Sequence, residues 1–282
     1  MNTSAATLDF DRINYLLNPA QFAETRVTIV GLGSGGAPAC DHLTMNGIRL
    51  WELYDHDILD AVNLVKHPRM RRDLGRLKVE VQRDWIIDRN PSAEVNVYAD
   101  DVLQSGNFER SIKESDLVLV CPDKKAVREF ASDKCVEAGV PFVTASVFRT
   151  GIGGEIFGYI PGETACYRCL QLYAVANDLD LTDEQLGLTE DEQHRIYGLG
   201  DEGFRASGLS IDIQTIALIQ ARLALSILLR DSGSSMPTFK ANWIVFGNRP
   251  AKGIFTKHFD VRQMLLRPQR LCSCVPDSLL ED

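Results

Sequence analysis

The chain lacks a surplus of positive charge. Its 30 Lys and Arg face 39 Asp and Glu, a formal net charge of −9. That balance argues against a surface built for nucleic acid or an anionic membrane, a local basic patch excepted. An export signature is also missing, because "MNTSAATLDFDR" has no basic start running into an apolar stretch. The expected location is therefore the cytoplasm. No run is expected to be long and apolar enough to span a bilayer. The most apolar one, Ile211–Leu229, is interrupted by Gln214, Gln220 and Arg222 and reads as a core or interface helix. Internal repeats, low-complexity tracts and clear linkers are absent, so one domain is the expectation for 282 residues. The seven cysteines are an odd number. Without an export signal, close pairs among them are expected to be metal ligands rather than disulfides.

What the sequence does have is alternation. Strand-like runs at 26–30, 49–55, 94–100, 116–121 and 140–147 are separated by helical spacing at 37–46, 75–88 and 124–139. This predicts an α/β fold with a doubly wound, mainly parallel sheet covered by helices. From Gly151 the texture becomes glycine-rich and strand-like, and late strands are expected within 239–259. Residues 170–207 are polar and acidic and read as a solvated insertion, partly helical. The expected plan is an N-terminal segment (1–25), a nucleotide-binding half (26–150) and a C-terminal half (151–282).

"VTIVGLGSGGAPACDHLTMNG" runs from a strand through a glycine turn into a helix. Gly31, Gly33 and Gly36 form a G-x-G-x-x-G pattern, which lets backbone N–H groups and a helix N-terminus approach phosphate. Asp55 ends the next strand, where a carboxylate can accept from a ribose hydroxyl. These features indicate a nucleotide and leave dinucleotide and ATP both open. The following stretch, "YDHDILDAVNLVKHPRMRRDLGRLK", concentrates Lys66, Arg69, Arg71, Arg72, Arg76 and Lys78. That much cation suits a triphosphate and the charged phosphorus of a nucleotidyl transfer. Asp123, just beyond the fourth strand, sits where an open sheet binds ligands and can hold Mg²⁺ with substrate phosphates. Asp is equally suited to cap the helix that follows.

Cys166 and Cys169 form one close pair, and Cys272 and Cys274 a second, far away in sequence. Four thiolates closing a tetrahedral site are the structural zinc pattern. Zinc there would fasten the C-terminal part to the middle of the chain. Cys40, Cys121 and Cys135 sit in apolar contexts and read as core residues.

In "GLGSGG", D-x-D at Asp55 and Asp57, "NL" at Asn63, G-x-x-K at Gly75–Lys78, "NP" at Asn90, "CPDKKAVR", "GGEI" and "CYRC", the chain resembles the ThiF/MoeB/ubiquitin-activating-enzyme (HesA/MoeB/ThiF) family of adenylyltransferases. It is particularly like bacterial members encoded beside ubiquitin-like proteins. The resemblance implies a Rossmann-like sheet on which Gly31, Gly33, Ser34 and Gly36 cradle ATP. It implies that Asp55 holds the ribose with Asp57 beside it, and that Asn63, Lys66 and Lys78 approach the phosphates. Asp123 would hold Mg²⁺. Lys66 stands where the family carries arginine, and lysine lacks the forked bidentate geometry. Arg12 is the nearest counterpart of an arginine that reaches the partner subunit's ATP site, which implies a homodimer. The implied reaction is ATP-dependent adenylation of the C-terminal glycine of a ubiquitin-like protein, with a conjugating enzyme as an optional further partner. Residues 170–207 hold no cysteine, so no enzyme thioester is expected. Two alternatives remain at this stage: a nicotinamide-dependent oxidoreductase, and a non-catalytic nucleotide-binding scaffold.

Overall fold

Each strand of the first half is a short run of β-branched and apolar residues, with glycine or polar residues at its end. In the computed structural model these runs form the centre of one sheet. The structure describes residues 8–122, 124–177, 208–230, 232, 234, 236–251, 253–270 and 272–275. In chain order the elements are β1 (Arg26–Val30), α1 (Gly36–Met45), β2 (Leu50–Tyr54), α2 (Lys78–Arg89), β3 (Glu94–Tyr98), α3 (Phe108–Lys113) and β4 (Leu117–Val120). Then come α4 (Lys125–Ala138), β5 (Phe142–Val147), β6 (Gly153–Tyr159), α5 (Tyr167–Ala176), α6 (Ser210–Leu228), β7 (Trp243–Gly247) and β8 (Asp260–Met264). The eight strands lie in the order β3-β2-β1-β4-β5-β6-β7-β8. Pairing is parallel from β3 to β5 and antiparallel from β5 to β8.

Helices cover both faces, which is why the central strands are apolar throughout rather than alternating. Ile29, Leu53, Leu119, Val143 and Ile156 face α1, α2 and α6 through Leu43, Val79, Ile86, Ile216 and Leu223. Val30, Tyr54, Val118, Phe142 and Phe157 face the other way, onto Phe108, Ala131 and Tyr167. A carboxylate is buried in this sandwich. Glu52 on β2 accepts from Arg26 Nη1 (2.8 Å), Asn96 Nδ2 (2.8 Å) and the Tyr98 hydroxyl (2.8 Å), so its charge is balanced and hydrogen-bonded.

The expected strands and the three long early helices are present, with two changes of boundary that have local causes. The helix expected from residue 75 starts at Lys78, because Gly75 is left-handed (φ +81°) and Leu77 is extended. The late strands fall at β7 and β8, the latter beyond the expected range. Helix α3 was not anticipated, and α5 covers the start of the segment expected to be partly helical. One expectation is corrected: Ser210–Leu228 is in fact long and apolar enough to cross a membrane by length and composition. It packs instead on the sheet, with Ile216 and Ala224 fully buried and Gln220 donating to the carbonyls of Val120 and Val143.

The antiparallel half packs tightly on Phe255. A Cβ at Gly247 would lie 2.5 Å from that buried ring. Gly247→Ala is therefore expected to destabilise the protein by about 1–3 kcal/mol through overpacking. A denaturant midpoint equal to wild type would contradict this.

Candidate nucleotide site

Strand order reverses between β1 and β4, so their C-terminal ends diverge and leave a crevice. The glycine turn after β1 forms its floor. Gly31 has φ +85°, and a Cβ on it would lie 3.1 Å from Pro122 N. At Gly36 a Cβ would lie 1.9 Å from the Gly31 carbonyl oxygen, so that residue must be glycine for α1 to start where it does. Gly33 and Gly35 differ: a Cβ there meets nothing within 4 Å. They border a cavity of about 460 Å³ that is also lined by Ser34, Asp55, Asp57, Lys66 and Lys78.

Asp55 supports the turn directly. Its Oδ2 accepts from Leu32 N–H (2.6 Å) and its Oδ1 from Asp57 N–H (2.9 Å). Burial raises its pKa, opposed by the charge of Lys78 and by those two N–H groups. Asp57 accepts from Lys78 Nζ at 2.6 Å. Burial pushes Asp57 up, but the lysine's hydrogen bond and charge outweigh it and the pKa falls below the ordinary value. Lys78 heads α2, and its backbone N–H bonds the Asp57 carbonyl (3.0 Å), so side chain and main chain hold the same loop. Its ammonium ion is thus fixed at the cavity wall.

The basic stretch divides into separate roles. Arg69 is buried, paired with Asp41 of α1 through two bonds (2.9 and 2.5 Å) and with Gln82 of α2 (2.6 Å). It staples the segment after β2 to the helix that follows the glycine turn. Arg76 pairs with Asp84, and Arg71 and Arg72 are exposed. Lys66 lines the cavity. Asn63 does not line the nucleotide cavity; its Oδ1 accepts from Asp60 N–H (2.9 Å) and closes a short turn. Arg12 is exposed and does not line the nucleotide cavity of its own chain. Asp123 and residues 178–207 of the acidic segment lie outside the described residues.

Sequence reasoning missed several residues of the site. Lys124, the residue after Asp123, lines the nucleotide cavity and helps depress Asp57. Arg128, in the same "CPDKKAVR" run, is buried and donates to the Pro122 carbonyl (3.0 Å) and the Tyr167 hydroxyl (3.2 Å). The clue was present, since both follow Asp123 on the first turn of α4. Tyr54, Asp100 and Asp101 also line the cavity.

A second cavity, of about 270 Å³, adjoins the first and shares Gly35, Lys66, Cys121, Pro122 and Ile213 with it. Its own walls are Arg128, Ala145 to Phe148, Thr150, Gly151, Ile216, Ala217 and Gln220. They are more apolar than polar and come from α4, β5, the turn after β5 and α6. Cys121 stands where the two cavities meet, donating to Gln220 Oε1 at 3.5 Å. Burial pushes its thiol up to about 12.

The four paired cysteines converge. Cys166 and Cys169 open α5, and Cys272 and Cys274 return to them from the C-terminal segment. The Sγ atoms are 3.9 Å apart for Cys166–Cys169, 3.5 Å for Cys166–Cys272 and 3.6 Å for Cys169–Cys274. All four lie within 4.8 Å of one another. Thiolates about 2.3 Å from a shared tetrahedral ion stand about 3.8 Å apart, so the arrangement could hold a metal ion. The Gln269 N–H also points at Cys169 Sγ (3.4 Å), as suits a thiolate.

Comparison with known proteins agrees with this geometry. The chain is 27% identical over 189 residues to ubiquitin-like modifier-activating enzyme 5 of Caenorhabditis briggsae, covering 64% of this chain and 44% of that one. It is 34% identical over 148 residues to molybdopterin-synthase adenylyltransferase of Escherichia coli, covering 52% and 59% respectively. The chain spans about half the length of the curated relatives it matches. The crystal structure of E. coli MccB with ATP superposes with a TM-score of 0.66 at 19% identity, over 91% of this chain and 68% of that one. MccB with AMPCPP and the peptide MccA also gives 0.66, at 17% identity, over 92% and 68%. These likenesses show the same fold. The ThiF family profile matches residues 16–257, from before β1 to beyond β7, and the chain belongs to the ThiF family.

Proposed function

We propose that this chain is an ATP-dependent adenylyltransferase that activates the C-terminal glycine carboxylate of a ubiquitin-like protein. The observation that carries the reading is the junction of the two cavities. One presents a phosphate turn and fixed cations, and the other is a mainly apolar channel that meets it at Gly35, Lys66 and Cys121. A chain end threaded along the channel would bring its carboxylate to that junction, against the α-phosphate of a nucleotide in the first cavity. The names of the relatives, activators of ubiquitin-like modifiers and of a molybdopterin synthase, support a protein carboxylate as substrate. The second cavity pairs small and apolar lining residues (Ala145, Gly151, Ala217) with Arg128 and Lys66, a combination suited to a slim chain end that carries a carboxylate.

The chemistry needs no general base, because a carboxylate is already ionised at neutral pH. A carboxylate oxygen attacks the α-phosphorus of Mg–ATP, the bond to the bridging oxygen breaks, and pyrophosphate leaves with its electron pair. The protein's part is placement and charge. Lys78, Lys66 and Lys124 border the nucleotide cavity as cations. By resemblance Asp123 holds the Mg²⁺ of the substrate, Asn63 approaches the phosphates, and Arg12 serves the partner protomer's site in a homodimer. The whole chain would be one adenylation domain, and the acyl-adenylate would pass to a sulfur or amine nucleophile, with or without a conjugating enzyme.

Zinc is the metal that four thiolates in this spacing suit best. Closed by protein ligands, it would be structural and open to no substrate. About one zinc per chain is expected. Metal analysis finding none, together with an unchanged thermal midpoint in Cys272→Ser, would refute this.

Lys78→Ala is expected to lower pyrophosphate–ATP exchange, driven by a ubiquitin-like protein ending in glycine, at least about 100-fold. The circular dichroism spectrum should stay that of wild type. Near-normal exchange in the variant would remove Lys78 from the mechanism. Absence of exchange in wild type with any such protein would remove the substrate assignment.

Cys121 is the thiol nearest the proposed reaction centre, and its raised pKa leaves almost no thiolate at neutral pH. Iodoacetamide at pH 7.5 is expected to label it about two to three orders of magnitude more slowly than an ordinary exposed thiol. No reductant-sensitive enzyme adduct should form during turnover. Prompt labelling, or a modifier-sized adduct lost in Cys121→Ala, would make Cys121 a nucleophile instead.

A further inference from the structure

His67 is a buried imidazole that lines neither of the two site cavities, and the adenylation mechanism does not use it. Its Nε2 lies 2.8 Å from the carbonyl oxygen of Leu32, inside the phosphate turn. A carbonyl only accepts, so Nε2 carries the proton. Nδ1 then accepts from the Arg69 N–H at 3.3 Å. Arg69 is itself locked by Asp41 and Gln82. The ring is held from both sides in one tautomer.

The carbonyl it holds is not an ordinary one. Leu32 O and Gly33 N–H belong to a single planar trans peptide and point in opposite directions. Gly33 has no side chain and open space around its Cβ position, so little else resists a flip of that peptide. The Leu32 N–H is fixed by Asp55 and the Leu32 side chain is fully buried. Only the carbonyl end of the residue needs a further tie. With Leu32 O turned to His67, the Gly33 N–H is turned away from His67, and Gly33 borders the nucleotide cavity.

We propose that His67 is a positioning residue that holds the Leu32–Gly33 peptide in the orientation in which the phosphate turn receives nucleotide. The inference rests on reading the first cavity as the ATP site. His67 acts through Leu32 and touches no substrate, so it governs nucleotide affinity and leaves the chemical step alone. Burial lowers its pKa to about 4, in keeping with a ring whose second nitrogen already accepts a hydrogen bond. The tie therefore persists unchanged across the neutral pH range.

The test compares wild type with His67→Leu, which fills the space without a donor, and His67→Gln, whose amide can donate to Leu32 O. Two readouts are taken: ATP affinity by calorimetry, and amide hydrogen exchange across residues 31–36 in nucleotide-free protein. His67→Leu should bind ATP about tenfold more weakly, with kcat at saturating ATP near wild type and faster exchange in the turn. His67→Gln should recover most of both. Equal exchange in all three proteins would overturn the proposal, whatever the affinities. So would a loss of affinity equal in the Leu and Gln variants. If wild type bound no ATP while the exchange difference persisted, the ATP reading would fail and the role of His67 in the turn would stand. Should His67→Leu not fold, His67→Asn, too short to reach Leu32 O, takes its place against His67→Gln.

Discussion

Everything in this molecule's site follows from where the sheet changes direction. Strands β2 and β3 are added on one side of β1, and β4 and β5 on the other. Right-handed crossovers then put α1 and α2 on one face and α3 and α4 on the opposite face. The chain must part above β1 and β4, and no side chain from either strand can close the gap. The glycine turn fills the floor of the gap with backbone. The loop after β2 and the start of α4 supply its walls. The end of β5, the turn that follows it and α6 extend the gap sideways into a second cavity.

Holding so much positive charge beside that gap requires that some of it be spent on structure. Arg69 carries a full charge into the interior and is stable there only because Asp41 and Gln82 surround it. Lys78 is fixed by Asp57, and Arg76 by Asp84. Three of the segment's cations are thus held in place by carboxylates, and a cation already held costs little reorganisation when a phosphate arrives.

The sheet and its long helices were legible in the sequence because both faces are covered, which leaves near-continuous apolar strands between glycine and polar breaks. The glycine turn and Asp55 were legible from spacing, as were the four thiols; Lys66 and Lys78 stood out only through the family resemblance. Three kinds of feature were not. The short helix α3 has too few turns to show a period. Arg69 carries the right chemistry for phosphate, but a buried carboxylate engages its side chain, and one-dimensional spacing cannot reveal such a partner. Lys124 and Arg128 follow Asp123 in "CPDKKAVR", where motif matching draws the eye to the aspartate, although a helix start beside the crevice makes any cation there a candidate for the site.

The glycines of the turn fall into two classes with different histories ahead of them. Gly31 and Gly36 are required by the protein's own backbone, since a methyl group at either meets main-chain atoms. Gly33 and Gly35 face open space, so nothing in the protein itself forbids a side chain there. Selection on them acts through whatever enters the cavity. In a descendant that had given up its ligand but kept its fold, positions 33 and 35 would drift to larger residues while 31 and 36 stayed glycine. That asymmetry, read from sequence alone, would separate working members of such a lineage from those retained only for their shape.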